Sequence, residues 1–200
     1  MIFRPTPIAG AFVIAPERHS DLRGYFARTW CEQEFAAHGV RERVVQANVS
    51  HNLRRHTVRG MHLQVPPALE GKLVRCTSGA IYDVVVDLRP QSPTFLQSYG
   101  TELTPQNGEG LYVPPLCAHG FLTLADETDV SYLMTGAYDP ACAVGFRWND
   151  PAFAIRWPET QEVTIAGRDA SYADFDAPAW SKRLADAYAR STAEQTGEPS

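Results

Sequence analysis

Between residues 44 and 148 apolar side chains recur in short alternating runs, the period of a strand that buries one face. The pattern predicts strands at 44–50, 58–64, 72–77, 80–89, 95–103, 110–113, 119–124, 130–138 and 144–148. Gly, Pro, Asn, Asp or Ser separates them at intervals typical of an all-β sandwich or barrel. Thr77-Ser78-Gly79 reads as a hairpin turn joining 72–77 to 80–89. Helical signals are few. Thr29-Trp30-Cys31-Glu32 has the spacing of a capping box ahead of Gln33–Ala37, with Gly39 as the stop. From about Pro178 to Ala193, Trp180, Leu184 and Tyr188 recur every four residues and give one apolar face. No βαβ alternation, phosphate-binding glycine loop or internal repeat interrupts this reading. The expectation is an all-β domain over 1–176, with a short helix in its N-terminal half. A C-terminal helix and a polar, frayed tail from Ser191 would occupy 177–200.

Alternation assigns faces. In 58–64, Gly60, His62 and Gln64 share one side and Met61 and Leu63 the other. In 80–89, Ile81, Asp83, Val85 and Asp87 oppose Tyr82, Val84, Val86 and Leu88. Tyr132, Met134 and Tyr138 fall together. One oily face and one face with sparse polar groups fit either a barrel that holds a ligand or a sandwich with one wet side.

Composition narrows the class of function. With 44% apolar residues the chain can fill a core, and a net charge of −5 argues against grip on nucleic-acid phosphates. No apolar run is long enough to cross a bilayer, and the opening segment lacks the features of a signal peptide, so a cytoplasmic location is expected. Cys31, Cys76, Cys117 and Cys142 stand far apart and read as reduced thiols. Of 18 basic residues only two are lysines, and one of them, Lys72, lies in the densest cluster of polar residues.

That cluster joins Arg59-Gly60-Met61-His62-Leu63-Gln64 to Lys72-Leu73-Val74-Arg75, with Asp83, Asp87 and His119 on later strands. Two chemistries fit it. His62, Glu70 and His119 could ligate a metal in a cupin-type oxygenase or isomerase, but Gln64 stands where a further good ligand is wanted. Alternatively the site moves protons without metal or other cofactor. Histidine is a base near neutral pH, a lysine can steady a developing enolate oxygen, and a phenol can return the proton from the opposite side. A non-catalytic binding protein that uses the same barrel is the third possibility.

The motifs Arg23–Phe26 (RGYF), Val45–Ser50 (VQANVS), Val58–Gln64 (VRGMHLQ) and Gly71–Cys76 (GKLVRC) resemble the dTDP-4-dehydrorhamnose 3,5-epimerases. So do Asp83–Arg89 (DVVVDLR), Ser92–Phe95 (SPTF), Ala118–Phe121 (AHGF), Arg147–Pro151 (RWNDP) and Ile155–Pro158 (IRWP). The resemblance implies a cupin-like jelly-roll barrel, a homodimer, and a cofactor-free epimerase of a nucleotide-linked 4-keto-6-deoxyhexose, as in rhamnose-type deoxysugar biosynthesis. It implies His62 as base, Asp169 as the carboxylate behind it, Lys72 beside the ketone and Tyr132 as the opposing acid. It also implies a substrate-binding set of Arg23, Phe26, Arg28, Gln46, Asn48, Arg59, Asp83, His119 and Tyr138, with Arg23 and Phe26 reaching a partner subunit's site. Arg28 stands where the family commonly has Glu near the base; a guanidinium cannot accept from a base N–H, so the nucleotide carrier stays open. Whether C3, C5 or both are inverted also stays open.

Overall fold

A computed structural model describes residues 1–160 and 162–196, with side chains through Ala187 except that of Gln161. In chain order the strands are β1 (Ile2–Pro5), β2 (Phe12–Ala15), β3 (His19–Asp21), β4 (Gly24–Phe26), β5 (Gln46–Asn52), β6 (Thr57–Gln64) and β7 (Lys72–Ser78). They continue as β8 (Ile81–Asp87), β9 (Ser98–Leu103), β10 (Gly110–Val113), β11 (Cys117–Thr123), β12 (Thr128–Met134), β13 (Ala143–Gly145) and β14 (Thr164–Ile165). The helices are α1 (Glu32–Ala37), α2 (Gly167–Ala170) and α3 (Ala177–Thr196), and a 3-10 turn spans Pro151–Phe153.

One sheet runs β1-β2-β10-β7-β12-β5 and the other β13-β6-β11-β8-β9, with β14 added parallel to β6. From β5 to β13 consecutive strands alternate between the two sheets, except β8 and β9, which pair in one, and this alternation is the mark of a jelly roll. The 77–79 turn is a correction to the hairpin reading: β7 pairs with β10 and β12 and β8 with β9 and β11, so the chain changes sheets there. Gly79 takes φ +74 at this corner, where an added Cβ would lie 2.2 Å from the Thr128 hydroxyl. No side chain fits.

The inner faces meet in an apolar plug. Val74, Cys76, Leu111, Val113 and Val130 from the first sheet pack on Ile81, Val85, Leu103, Cys117 and Phe121 from the second. The outer face of the second sheet carries Val84, Val86 and Leu88 and is covered by Phe153, Trp180, Leu184 and Ala187. Helix α3 therefore roofs the sheet with the face expected from its four-residue spacing, and Trp180 Nε1–H donates to the buried Leu88 carbonyl at 2.7 Å. Tyr188's side chain lies outside the described residues, as do residues 197–200 of the expected tail; residues 191–196 are helical. The outer face of the first sheet is closed by α1, whose Phe35 packs with Leu73 and Tyr112.

The capping box does not form. Cys31 takes the N-cap position without a side-chain hydrogen bond, and Gly39, at φ +86, follows the helix as expected. Strands β1–β4 and β14, and helix α2, had no counterpart in the sequence reading. They are four residues or fewer, too short to show a period.

Candidate active site

Beyond the apolar plug the barrel opens as a cavity of about 410 Å³. It lies between β5, β12 and β7 on one side and β6 and β11 on the other. Inward positions alternate along each strand. β5 contributes Gln46, Asn48 and Ser50, β7 Lys72, β11 His119 and Phe121, and β12 Tyr132 and Met134. From β6 come Arg59, His62 and Gln64.

Strict alternation would turn Arg59 away from His62. The register explains why both face inward: His119 lies opposite His62 and Phe121 opposite Arg59, so two steps on β11 match three on β6. The extra residue is Gly60, the position that alternation had grouped with His62. This is a β-bulge, and it re-aims the strand. Gly60 adopts φ +129 and its Cβ would meet the Gly120 Cα at 2.5 Å, so the two backbones touch where the bulge forms.

His62 Nε2 lies 2.9 Å from Asp169 Oδ1, although the residues are 107 apart in sequence. Helix α2 brings the carboxylate across, and the Gly60 N–H donates to its Oδ2 at 3.4 Å. A carboxylate only accepts, so the shared proton sits on Nε2 and leaves the Nδ1 lone pair of His62 free. Burial pushes the Asp169 carboxyl upward, but the hydrogen bond and charge of His62 and the Gly60 N–H outweigh it and hold the group below its ordinary range.

Tyr132 stands on the first sheet, with its ring edge-on to His119 at 6.1 Å between centroids. Burial, then the nearby Asp83, push its phenol well above the ordinary value, so it keeps its proton at neutral pH. His119 Nε2 is 2.7 Å from Asp83 Oδ1, and burial drives that carboxyl upward against the pull of His119 and Lys72. Asp83 itself does not line the cavity. It lies behind His119, wholly buried.

Lys72 Nζ pairs with Glu70 Oε1 at 3.0 Å and donates to the His62 carbonyl at 3.2 Å. Arg59 is oriented by Asn52 Oδ1, which accepts from its Nε at 2.8 Å. Arg168 also lines the cavity, held by Tyr172 Oη at 2.8 Å. Neither arginine has a carboxylate partner among the described residues. Gln46 Nε2 donates to Asn48 Oδ1 at 3.0 Å, and the Tyr138 N–H donates to Gln46 Oε1 at 3.2 Å, tying these three lining residues together.

Of the expected site residues, His62, Lys72, Tyr132, Asp169, Gln46, Asn48, Arg59, His119 and Tyr138 line one cavity. Arg23, Phe26 and Arg28 do not line it. Arg23 and Phe26 lie at the exposed β3–β4 hairpin, where Arg23 pairs with Asp21, and Arg28 pairs with Glu34. Arg168 was missed as a lining residue, although its place beside Asp169 was the available signal. The metal-ligand set does not assemble: His62 is engaged with Asp169, Glu70 with Lys72 and Gln64, and His119 with Asp83. Among the described residues no three His, Cys, Asp or Glu side chains form a metal-binding group.

A jelly-roll barrel whose open end holds a His–Asp pair, a lysine and a protonated phenol has the groups to move protons on and off a bound molecule without a metal-binding cluster among the described residues. Comparison with known proteins gives the family. The family model described as dTDP-4-dehydrorhamnose 3,5-epimerase matches residues 5–177. An enzyme of that name from Sinorhizobium fredii is 40% identical over 171 residues, covering 86% of this chain and 88% of its own. A dTDP-4-dehydrorhamnose 3-epimerase from Streptomyces niveus is 42% identical over 171 residues, covering 84% and 81%. The crystal structure of the 3,5-epimerase from Bacillus anthracis, with TDP and PPi bound, superimposes with a TM-score of 0.82 at 36% identity, covering 87% of this chain and 99% of that one. The chain belongs to the dTDP-4-dehydrorhamnose 3,5-epimerase family and is an epimerase.

Proposed function

We propose that the cavity binds a dTDP-linked 4-keto-6-deoxyhexose and inverts it at C3, C5 or both, a step in deoxysugar biosynthesis of the rhamnose type. One observation carries the reading: His62, paired with Asp169 from α2, and Tyr132 come from opposite sheets of the barrel and line the same cavity as Lys72. His62 Nδ1 takes the proton from the carbon beside the C4 ketone, and the electron pair moves onto the ketone oxygen as an enolate. Lys72 donates a hydrogen bond to that oxygen. Tyr132 returns a proton to the opposite face of the carbon, leaving a phenolate and an imidazolium to be reset by proton exchange with solvent. Asp169 holds the imidazole in the required tautomer and stabilises its charged form.

Arg59, with Gln46 and Asn48, holds the diphosphate and nucleoside end, and Arg168, at the cavity wall, adds positive charge there. The TDP and PPi bound to the Bacillus anthracis relative support a site for that part of the substrate. His119, with Asp83 behind it, and Tyr138 complete the walls around the sugar. We further propose a cytoplasmic homodimer in which Arg23 and Phe26, with Arg28 nearby, reach the partner's cavity. The exposed Tyr25 and Phe26 on the hairpin and Val45, Val49 and Leu53 along the open edge of β5 support that contact.

Turnover in D2O tests the mechanism. The product should carry deuterium at each inverted carbon, and His62→Ala should lose roughly 10²–10⁴ in kcat, the contribution of a general base. Wild-type turnover by that variant refutes it.

A further inference from the structure

The ammonium of Lys72 is nearly sealed from water together with its partner: the side chains of Lys72 and Glu70 are 8% and 5% exposed. Each oxygen of Glu70 faces a different donor. Oε1 takes the Lys72 ammonium at 3.0 Å, and Oε2 accepts from Gln64 Nε2 at 3.1 Å. Gln64 is itself fixed. Its Oε1 accepts from the Asp139 N–H at 2.6 Å, and its amide nitrogen also reaches the Ala68 and Ala137 carbonyls at 3.0 Å each.

A lysine ammonium has three N–H bonds. Glu70 takes one and the His62 carbonyl takes another, at 3.2 Å. The third remains for a ligand in the cavity that Lys72 lines. We propose that Glu70 is a positioning residue for the epimerisation: it clamps Lys72 so that this remaining N–H points at the oxygen that becomes the enolate. Gln64 fixes Glu70 in turn. The inference rests on the role given to Lys72 above.

The arrangement requires a carboxylate. Both oxygens of Glu70 face donors, so an amide at this position would present its own NH2 either to the Lys72 ammonium or to the Gln64 amide. Glu70→Gln therefore keeps size and shape but breaks one of the two contacts. The same count explains why Gln64 is an amide: it must accept from Asp139 and donate to Glu70 at once.

The test is a cycle of Glu70→Gln, Lys72→Met and the double variant, assayed on a dTDP-linked 4-keto-6-deoxyhexose, with circular dichroism to confirm folding. A misdirected N–H weakens the transition state more than the ground state. E70Q should therefore lose about tenfold or more in kcat with KM held within about threefold. The double variant should be no slower than K72M, because Glu70 has nothing left to aim once the ammonium is gone. Wild-type kcat in folded E70Q beside a slow K72M overturns the inference and leaves the role of Lys72 standing. Additive losses in the double variant overturn it too, since a merely structural role adds. Wild-type kcat in K72M refutes the role of Lys72, and the inference with it. Should E70Q fail to fold, Glu70→Asp keeps the charge and draws it back by one methylene. It should lose several-fold in kcat, and unchanged kcat there counts against the clamp.

Discussion

Gly60 is the residue on which the site turns. It provides the extra step of the bulge, donates its N–H to Asp169, and lies against Gly120 with no room for a methyl group. Gly60→Ala should destabilise the fold by about 2–4 kcal/mol, since it adds both a positive-φ penalty and a backbone clash. A urea midpoint equal to wild type would show that the bulge tolerates a side chain. His62 and Gln64 were legible as neighbours on one face because alternation alone groups them. The inward turn of Arg59 was not, because a bulge is a property of two paired strands and leaves no trace in the period of one. Asp169 was reachable only through motif resemblance: it arrives from a four-residue helix far along the chain, with no periodicity to announce it.

Among the elements, the central strands were read closely, β6, β7, β8 and β10 differing from expectation by two residues or fewer at either end. The largest difference is at β12, which ends at Met134 rather than residue 138, and β9 starts at Ser98 rather than residue 95. Local hydrogen bonds take over there. Asp87 accepts from the Arg89 guanidinium at 2.8 Å, from Ser92 Oγ at 2.5 Å and from Thr94 Oγ1 at 2.7 Å, folding the connection between β8 and β9 around one carboxylate. Burial pushes that carboxyl up, yet these donors outweigh it and bring it down to about 2. A group depressed on folding contributes stability above its ordinary pKa and loses it as pH falls through the folded value. Asp87→Asn should accordingly cost about 1–2 kcal/mol at pH 7, discounted because its partner Arg89 is partly exposed, with the difference from wild type shrinking toward pH 2. Urea titrations at a series of pH values measure this, and a pH-independent difference removes the account. The failed capping box at Thr29 shows the converse: spacing names a helix start that Cys31 takes instead.

At the scale of the whole molecule, the barrel interior is divided between a dry plug and a polar cavity, and no helix among the described residues is long and apolar enough to cross a membrane. The alternating faces of β8 and β12 showed which side of each strand turns inward, whereas the division along that side and the pairing order of the strands were not readable, because jelly-roll neighbours are distant in sequence. The proposed dimer is a prediction at this scale. Val49 points outward from an edge strand whose Asn48 points into the cavity, so Val49→Asp should split the dimer without touching the lining. Sedimentation of the wild type at the mass of one 22.1 kDa chain would refute the association. The bulge in β6 has a further consequence, for which changes of length the lineage can survive. Loss of Gly60 would leave Arg59 and His62 two apart and still on one face under simple pleating, but would remove the N–H that Asp169 accepts. A shorter strand could thus keep both side chains inward, whereas flattening the bulge at its present length would turn either the guanidinium or the imidazole out of the cavity and put phosphate grip and proton chemistry out of phase.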